Sequence, residues 1–233
     1  MSDDAAKDEI FVTQDGSHSI TASRFGVSYH SKYGAITESR HVFIQAGLMP
    51  LLLKSPAQIA ILEMGLGTGL NVLLTYQELL KRPIQLYYEA IEQFPISLEA
   101  AHTLNYPQLI DQNNPELASA FDHLHSAAWE QDVALNSHFR FKKRLGKLEE
   151  LTLDSVFDLI YFDAFAPSAQ PELWSEEIME KMYRALLPGG VLVTYCAKGE
   201  FKRTLKKVGF VVESLPGPPG KREMTKAVKI NGY

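Results

Sequence analysis

From Gln58 onward the chain alternates short, unbroken apolar runs with longer stretches in which apolar positions recur every three or four residues. The first kind suits strands buried on both faces and the second suits amphipathic helices, so the alternation predicts a parallel sheet with helices on both sides. Strands are expected at Ile59–Glu63, Ile84–Ile91, His138–Phe141 and Phe157–Phe162. Helices are expected from Leu70 to Leu79, Ile96 to Leu104, Glu116 to Trp129 and Trp174 to Leu187, the last closed by Pro188-Gly189-Gly190. Val191–Tyr195, Phe210–Val212 and Ala227–Ile230 complete the strands, and Pro216-Gly217-Pro218-Pro219-Gly220 turns the final two into an antiparallel pair. Upstream, Ile10–Thr13 and Ser19–Ser23 read as short strands around an Asp15-Gly16 turn, followed by a helix from about Arg40 to Leu53. The expectation is an α/β, Rossmann-like domain over residues 56–233 with a mostly parallel sheet of about seven strands, preceded by a small N-terminal extension over 1–55.

The 233 residues are 45% hydrophobic and 22% charged, enough to close a core without disulfides or metal. Cys196 is the one cysteine, which excludes an internal disulfide and fits a reducing compartment. The acidic start has no signal-peptide pattern, and no apolar run approaches the roughly 20 residues of a membrane span, so a cytoplasmic protein is expected. The seven histidines show no metal-ligand spacing, and no metal is expected. The net charge of −5 hides an asymmetry. Residues 198–233 hold nine Lys/Arg against three Asp/Glu, so +6 there and −11 in the remainder. A second basic cluster runs from Arg140 to Arg144. Either can be a solvated face or a polyanion-binding surface.

The chemistry concentrates at strand ends. Gly65, Gly67 and Gly69 follow the first main-domain strand and open a helix, the arrangement that brings backbone amides close to a ligand. The spacing differs from the dinucleotide GxGxxG pattern, and Glu63 directly before it would repel a pyrophosphate but accept hydrogen bonds from an ammonium. A cationic sulfonium cofactor, S-adenosylmethionine, therefore suits the loop better than a dianionic dinucleotide. Glu92 ends the second strand, where doubly wound folds place the carboxylate that binds a ribose hydroxyl; Glu89 is the local competitor. Asp163, followed by Phe165 and Pro167, stands at the end of the strand Phe157–Phe162. A carboxylate there can orient an amine and take its proton while an aromatic ring stacks on a flat base.

The ordered set of segments resembles the methyltransferase half of the MnmC enzymes, whose stand-alone form is called MnmD. The matching stretches are Tyr33-Gly34-Ala35 with Glu38 to Phe43, Glu63 through Asn71, and Glu92-Gln93-Phe94-Pro95. Phe162 to Pro167 with Pro171 to Trp174, and Gly220-Lys221-Arg222-Glu223-Met224, follow in order. The resemblance implies methyl transfer from S-adenosylmethionine to the aminomethyl nitrogen of 5-aminomethyl-2-thiouridine in the tRNA anticodon loop. It implies that Glu63, Gly65, Gly67, Gly69, Asn71, Glu92, Gln93 and Asp163 hold the cofactor, with Asp163 also facing the amine. Phe165, Trp174, Lys221, Arg222, Glu38 and Arg40 would shape the substrate site, and the segment from Tyr29 to His41 would help close it. Gly146 and Lys147 are expected beside the adenine as part of the same cofactor site, and because many relatives carry an aspartate where this chain has Lys147, backbone groups rather than a carboxylate would serve there. Ending at Tyr233, the chain has no room for the flavin-dependent half of the bifunctional enzymes, so other proteins are expected to supply the aminomethyl precursor. The competing readings are a small-molecule amine methyltransferase, an NAD-dependent oxidoreductase and a catalytically silent binding module on the same fold.

Overall fold

In the computed structural model, which describes residues 9–230, the unbroken apolar runs lie at the centre of an eight-stranded sheet. The N-terminal segment forms β1 (Glu9–Val12), β2 (His18–Ala22) and β3 (Val27–Ser28), a small antiparallel sheet of its own. A continuous helix follows, made of α1 (Ala35–Ser39), a π-helical stretch Arg40–Leu48 and α2 (Met49–Leu52). It begins five residues before the expected Arg40. The Asp15 carboxylate accepts from Thr37 N at 2.9 Å and Ser17 Oγ accepts from Ala35 N at 3.0 Å, so the turn between β1 and β2 caps a helix some twenty residues away.

The main domain runs β4 (Gln58–Met64), α3 (Leu70–Leu79), β5 (Gln85–Glu92), α4 (Leu98–His102), α5 (Tyr106–Asp111), α6 (Pro115–Ser126), β6 (Asp132–Ala134) and β7 (Phe139–Leu145). It continues with β8 (Phe157–Phe162), a 3₁₀ turn at Pro171–Trp174, α7 (Glu176–Ala185), β9 (Leu186–Thr194), α8 (Gly199–Val208), β10 (Phe210–Pro216) and β11 (Glu223–Lys229). The order across the sheet is β10-β11-β9-β8-β4-β5-β7-β6. Its five central strands are parallel, and the edges are antiparallel: β10, β11 at one side and β6 at the other.

The sheet thus has eight strands where about seven were expected. The addition is β6, three residues folded back on β7 through Asn136, whose carbonyl Oδ1 accepts from His138 N and Phe139 N. Pro188-Gly189-Gly190 also departs from expectation. Helix α7 has already ended at Ala185, and the triplet lies within β9 as an irregularity between Phe157↔Leu186 and Leu159↔Val191. Such a bulge admits a proline because the ladder is locally broken. The long helix of the N-terminal segment shares the core of the main sheet: Val42, Phe43 and Leu48 are buried with Leu159, Tyr161 and Val193. Gly47 makes this contact close, since a Cβ there would sit 3.0 Å from Val193 and 3.3 Å from Leu159 and Tyr161. Cys196 is buried and unpaired, as a small apolar residue. Among the described residues no helix is long and apolar enough to cross a membrane.

Candidate active site

Register brings the acidic residues together. Met64 of β4 pairs with Ile91 of β5 and Phe162 of β8, so the next residues on those strands, Gly65, Glu92 and Asp163, leave the sheet at one level. They border a cavity of about 320 Å³ at the carboxyl ends of the strands, the crevice that open α/β sheets use for ligands.

Gly65 bends the chain at φ 89°, and a Cβ there would lie 2.8 Å from the Asp163 carbonyl. The loop consequently runs flush against the end of β8, where Asp163 N donates to Met64 O at 2.9 Å. Gly67 N donates to Glu92 Oε2 and Phe94 N to Oε1, at 2.9 and 2.8 Å, which ties the loop to the end of β5. Glu89 is engaged elsewhere, with Arg144 at 3.1 Å and the Tyr87 hydroxyl, so Glu92 is the carboxylate that the cavity receives.

Asn71, in the first turn of α3, bridges two carboxylates: its Nδ2 donates to Glu63 Oε1 and to Asp163 Oδ2, both at 2.9 Å. Its own Oδ1 is buried without a partner. Glu63 is expected to meet the ligand directly, but it is fully buried one side chain behind the wall because Asn71 stands in front of it. Its Oε2 has the Tyr88 hydroxyl nearby in no hydrogen-bonding geometry. Burial pushes the Glu63 carboxyl well above its usual range, and the nearby Asp163 and Glu92 add to the effect against the Asn71 bond. Asp163 is likewise raised by burial and by Glu38, partly offset by Asn71 and Lys221. Burial raises Glu92 too, against the backbone donors of Phe94, Gly67 and Gln93. Three carboxyl groups short of compensating charge line or back one cavity. Such a site favours a cationic guest.

The opposite wall is aromatic. Phe165 packs against Phe25 and Tyr29 of the N-terminal segment, each with ring centroids 5.0 Å apart, and Phe25 meets Phe94 at 5.5 Å. Glu38 and Lys221, contributed by α1 and the loop between β10 and β11, form an ion pair at the cavity, with the Lys221 ammonium 3.9 Å from the centre of the Tyr195 ring. His41 bonds the Pro216 carbonyl at 2.8 Å, a second tie between the same two segments. His30 also borders the cavity, and its burial holds the ring down to about 4, against the pull of Glu38 and Asp15.

Of the residues singled out in the sequence, Gly65, Gly67, Asn71, Glu92, Gln93 and Asp163 line the cavity together with Phe165, Glu38 and Lys221. Gly69 starts α3 and faces Leu124 and His125. Trp174 is buried behind the wall, where its Nε1 donates to the Phe165 carbonyl at 2.8 Å and fixes that residue from the rear. Arg40 bonds Gln77 on α3 at 3.2 Å, directed into the helix packing. Arg222 is exposed beside Lys221. Gly146 N bonds the Glu92 carbonyl at 2.9 Å, Lys147 is exposed next to Glu150, and Leu148 is the member of that loop that reaches the cavity. Tyr195 was not marked by the sequence. The pairing Tyr161↔Val193 sets it level with Asp163, and strand pairing is the only signal for it.

A family model described as S-adenosyl-L-methionine-dependent methyltransferase matches residues 116–230. The tRNA 5-methylaminomethyl-2-thiouridine biosynthesis bifunctional protein MnmC of Aromatoleum aromaticum is 32% identical over 225 residues, covering 91% of this chain and 34% of that protein. Its counterpart in Delftia acidovorans is 32% identical over 214 residues, 88% of this chain and 33% of that protein. The chain therefore spans about a third of the length of these curated relatives. Among solved structures, MNMC2 from Aquifex aeolicus superposes with a TM-score of 0.74 at 24% identity, covering 97% of this chain and 72% of that one. Spermidine synthase from Thermotoga maritima follows at 0.60 and 18%, covering 98% and 71%. Both likenesses are of fold.

Proposed function

Because the chain belongs to the S-adenosyl-L-methionine-dependent methyltransferases, we propose that its cavity transfers a methyl group to the aminomethyl nitrogen of 5-aminomethyl-2-thiouridine at the tRNA wobble position. The observation that carries the reading is the set of raised carboxyls around Asn71, beside an aromatic wall.

The residues present fit the cofactor. Asn71 Oδ1 is a buried acceptor without a donor at the cavity wall, the need an α-ammonium group meets, and Glu63 behind it holds the Asn71 side chain in place. Glu92 would take the ribose hydroxyls, with Gln93, Phe94 and Leu148 around the adenine. The tight glycine turn leaves the backbone close to the methionine portion. When bound, S-adenosylmethionine supplies an electrophilic methyl on a positively charged sulfur.

The chain's own work is on the amine. A primary aliphatic amine with a pKa of about 10 is almost wholly protonated at neutral pH and has no lone pair to offer. Asp163 would accept a hydrogen bond from the ammonium, orient it and take one of its protons first, leaving a lone pair on nitrogen to form the new C–N bond. A carboxyl raised above its ordinary range is the stronger base for that transfer. Phe165 and Tyr29, packed against each other, would offer the uracil ring an aromatic wall, which suits an unstacked loop base. Trp174 keeps Phe165 in place, and the Glu38–Lys221 pair holds the N-terminal segment over the cavity. A tRNA substrate and a cytoplasmic setting follow from this reading.

The test is direct. Purified protein, S-adenosylmethionine and tRNA carrying aminomethyl-thiouridine should yield methylaminomethyl-thiouridine on nucleoside mass spectrometry. An unchanged nucleoside profile with bound S-adenosylhomocysteine would refute the assignment of the acceptor.

A further inference from the structure

We propose that the exposed basic face of α8, with Lys198 at its start and Arg222 on the neighbouring hairpin, is the track on which the phosphate backbone of the RNA lies. The inference rests on the RNA acceptor proposed above and adds where that RNA is held.

Helix α8 begins at the cavity side of the sheet, four residues after Tyr195, and runs down its flank. Phe201 and Leu205 bury its inner face. At about 100° per residue, Lys202, Arg203 and Lys206 fall within an arc of about 100° on the outside. Glu200, its one acidic residue, lies beyond the edge of that arc. Lys202 is already held by Glu223 at 2.7 Å and by Ser214 Oγ. Lys198, Arg203, Lys206 and Arg222 are exposed and make no ion pair among the described residues. From Lys198 to Lys206 the helix advances about 12 Å. The free cations thus form a line that starts at the cavity mouth and leads away from it.

Most of the other basic cluster is engaged by neighbouring groups, Lys142 alone of its cations making neither an ion pair nor a ring contact among the described residues. Arg140 lies over the Tyr87 ring at 4.6 Å with Asp132 at 4.0 Å. Arg144 is paired with Glu89 and Glu130. Lys143 is buried, bonded to the His125 carbonyl and set over Trp129 at 4.7 Å. Two patches that look equivalent in sequence differ in available charge, and only unpaired surface cations can release counterions from a polyanion. A folded protein or small amine would need no such line. Phosphate contacts of this kind fix register while the base is read in the cavity.

The experiment measures binding of a fluorescein-labelled anticodon stem-loop RNA across a salt series. The variant Lys198→Gln/Arg203→Gln/Lys206→Gln should lower the slope of log K against log salt by about 2, at roughly 0.7 per lost phosphate contact with single-stranded RNA. It should also weaken binding at least tenfold at low salt, with S-adenosylhomocysteine affinity and thermal unfolding unchanged. Arg140→Gln/Lys142→Gln should leave the slope as in the parent protein. A parental slope in the triple variant, or equal losses in both variants, would overturn the assignment. A parent protein that binds S-adenosylhomocysteine but shows no salt-dependent RNA binding would instead refute the RNA acceptor itself.

Discussion

At the scale of single residues, Asp163 and Asn71 decide what the cavity can do. Asp163→Asn keeps the shape and the bond from Asn71 but removes the proton acceptor. Turnover should fall about 10²- to 10⁴-fold while S-adenosylhomocysteine binds within a few-fold of the parent. The parent should show an ascending limb in kcat/KM against pH, because the Asp163 carboxyl must ionise to act and its raised pKa shifts that step upward. The Asn variant should lose this limb in single-turnover assays. Gly65→Ala combines a left-handed backbone with a methyl 2.8 Å from the Asp163 carbonyl. It should cost about 1–3 kcal/mol in urea unfolding and most of the cofactor affinity seen by calorimetry. Glu92 and Asp163 were legible because a carboxylate closing an apolar strand has few other uses. The Glu63 side chain was placed one layer too far forward, since sequence does not reveal that Asn71 intervenes. Tyr195 reaches the wall through strand register and leaves no local mark, whereas Tyr29 opens the segment that the resemblance assigns to closing the site.

Elements were readable where the apolar pattern was long. Strands β4, β5 and β8 and helix α3 match their expected spans closely, because unbroken or strongly periodic burial leaves little choice. Helix α8 leaves a weak pattern because Phe201, Leu205 and Val208 are scattered among six charged or polar residues and one glycine. β6 is too short to show a period. The start of the N-terminal helix is set by Asp15, whose hydrogen bonds to Ser17, Thr37 and Thr13 outweigh burial and bring its carboxyl down to about 2. Asp15→Ala should therefore cost about 1–2 kcal/mol, the range for a lost cap, and should raise hydrogen exchange in residues 35–39 first. Helix α6 meets the glycine loop through His125, whose Nε2 donates to the Thr68 carbonyl at 3.2 Å. Burial, reinforced by Lys143 and opposed by that bond, lowers the ring to about 4. Between pH 6.5 and 4 the unfolded chain takes up a proton there and the folded one does not, so stability falls as the pH drops through this window. At pH 4.5 the loss attributable to His125 is on the order of 2 kcal/mol. Chemical denaturation at pH 7 and 4.5 should show it in the parent and not in His125→Gln.

Over the whole molecule, the alternation of strand and helix gave the class of fold, and chemistry at strand ends gave the cavity. What the pattern could not give was how the two ends of the chain cooperate. Residues 9–52 close over the cavity from one side and the β10–β11 hairpin from another, joined by Glu38–Lys221 and His41–Pro216. If this bridge holds the closed form, Glu38→Gln and Lys221→Met should each speed S-adenosylhomocysteine release. Their effects should couple by about 0.5–3 kcal/mol in a double-mutant cycle read by stopped flow. Additive rates would show that the two side chains act separately.

That bridge spans 183 positions. At bacterial or eukaryotic synthesis speeds the ribosome needs on the order of ten to forty seconds to travel from one partner to the other. From the completion of Asp163 until Lys221 is made, the growing polypeptide holds its glycine turn and acidic strand ends without the hairpin side of their roof. A product terminated before Lys221 is therefore an open half-vessel, and competence to retain a donor arrives only once that residue has been made.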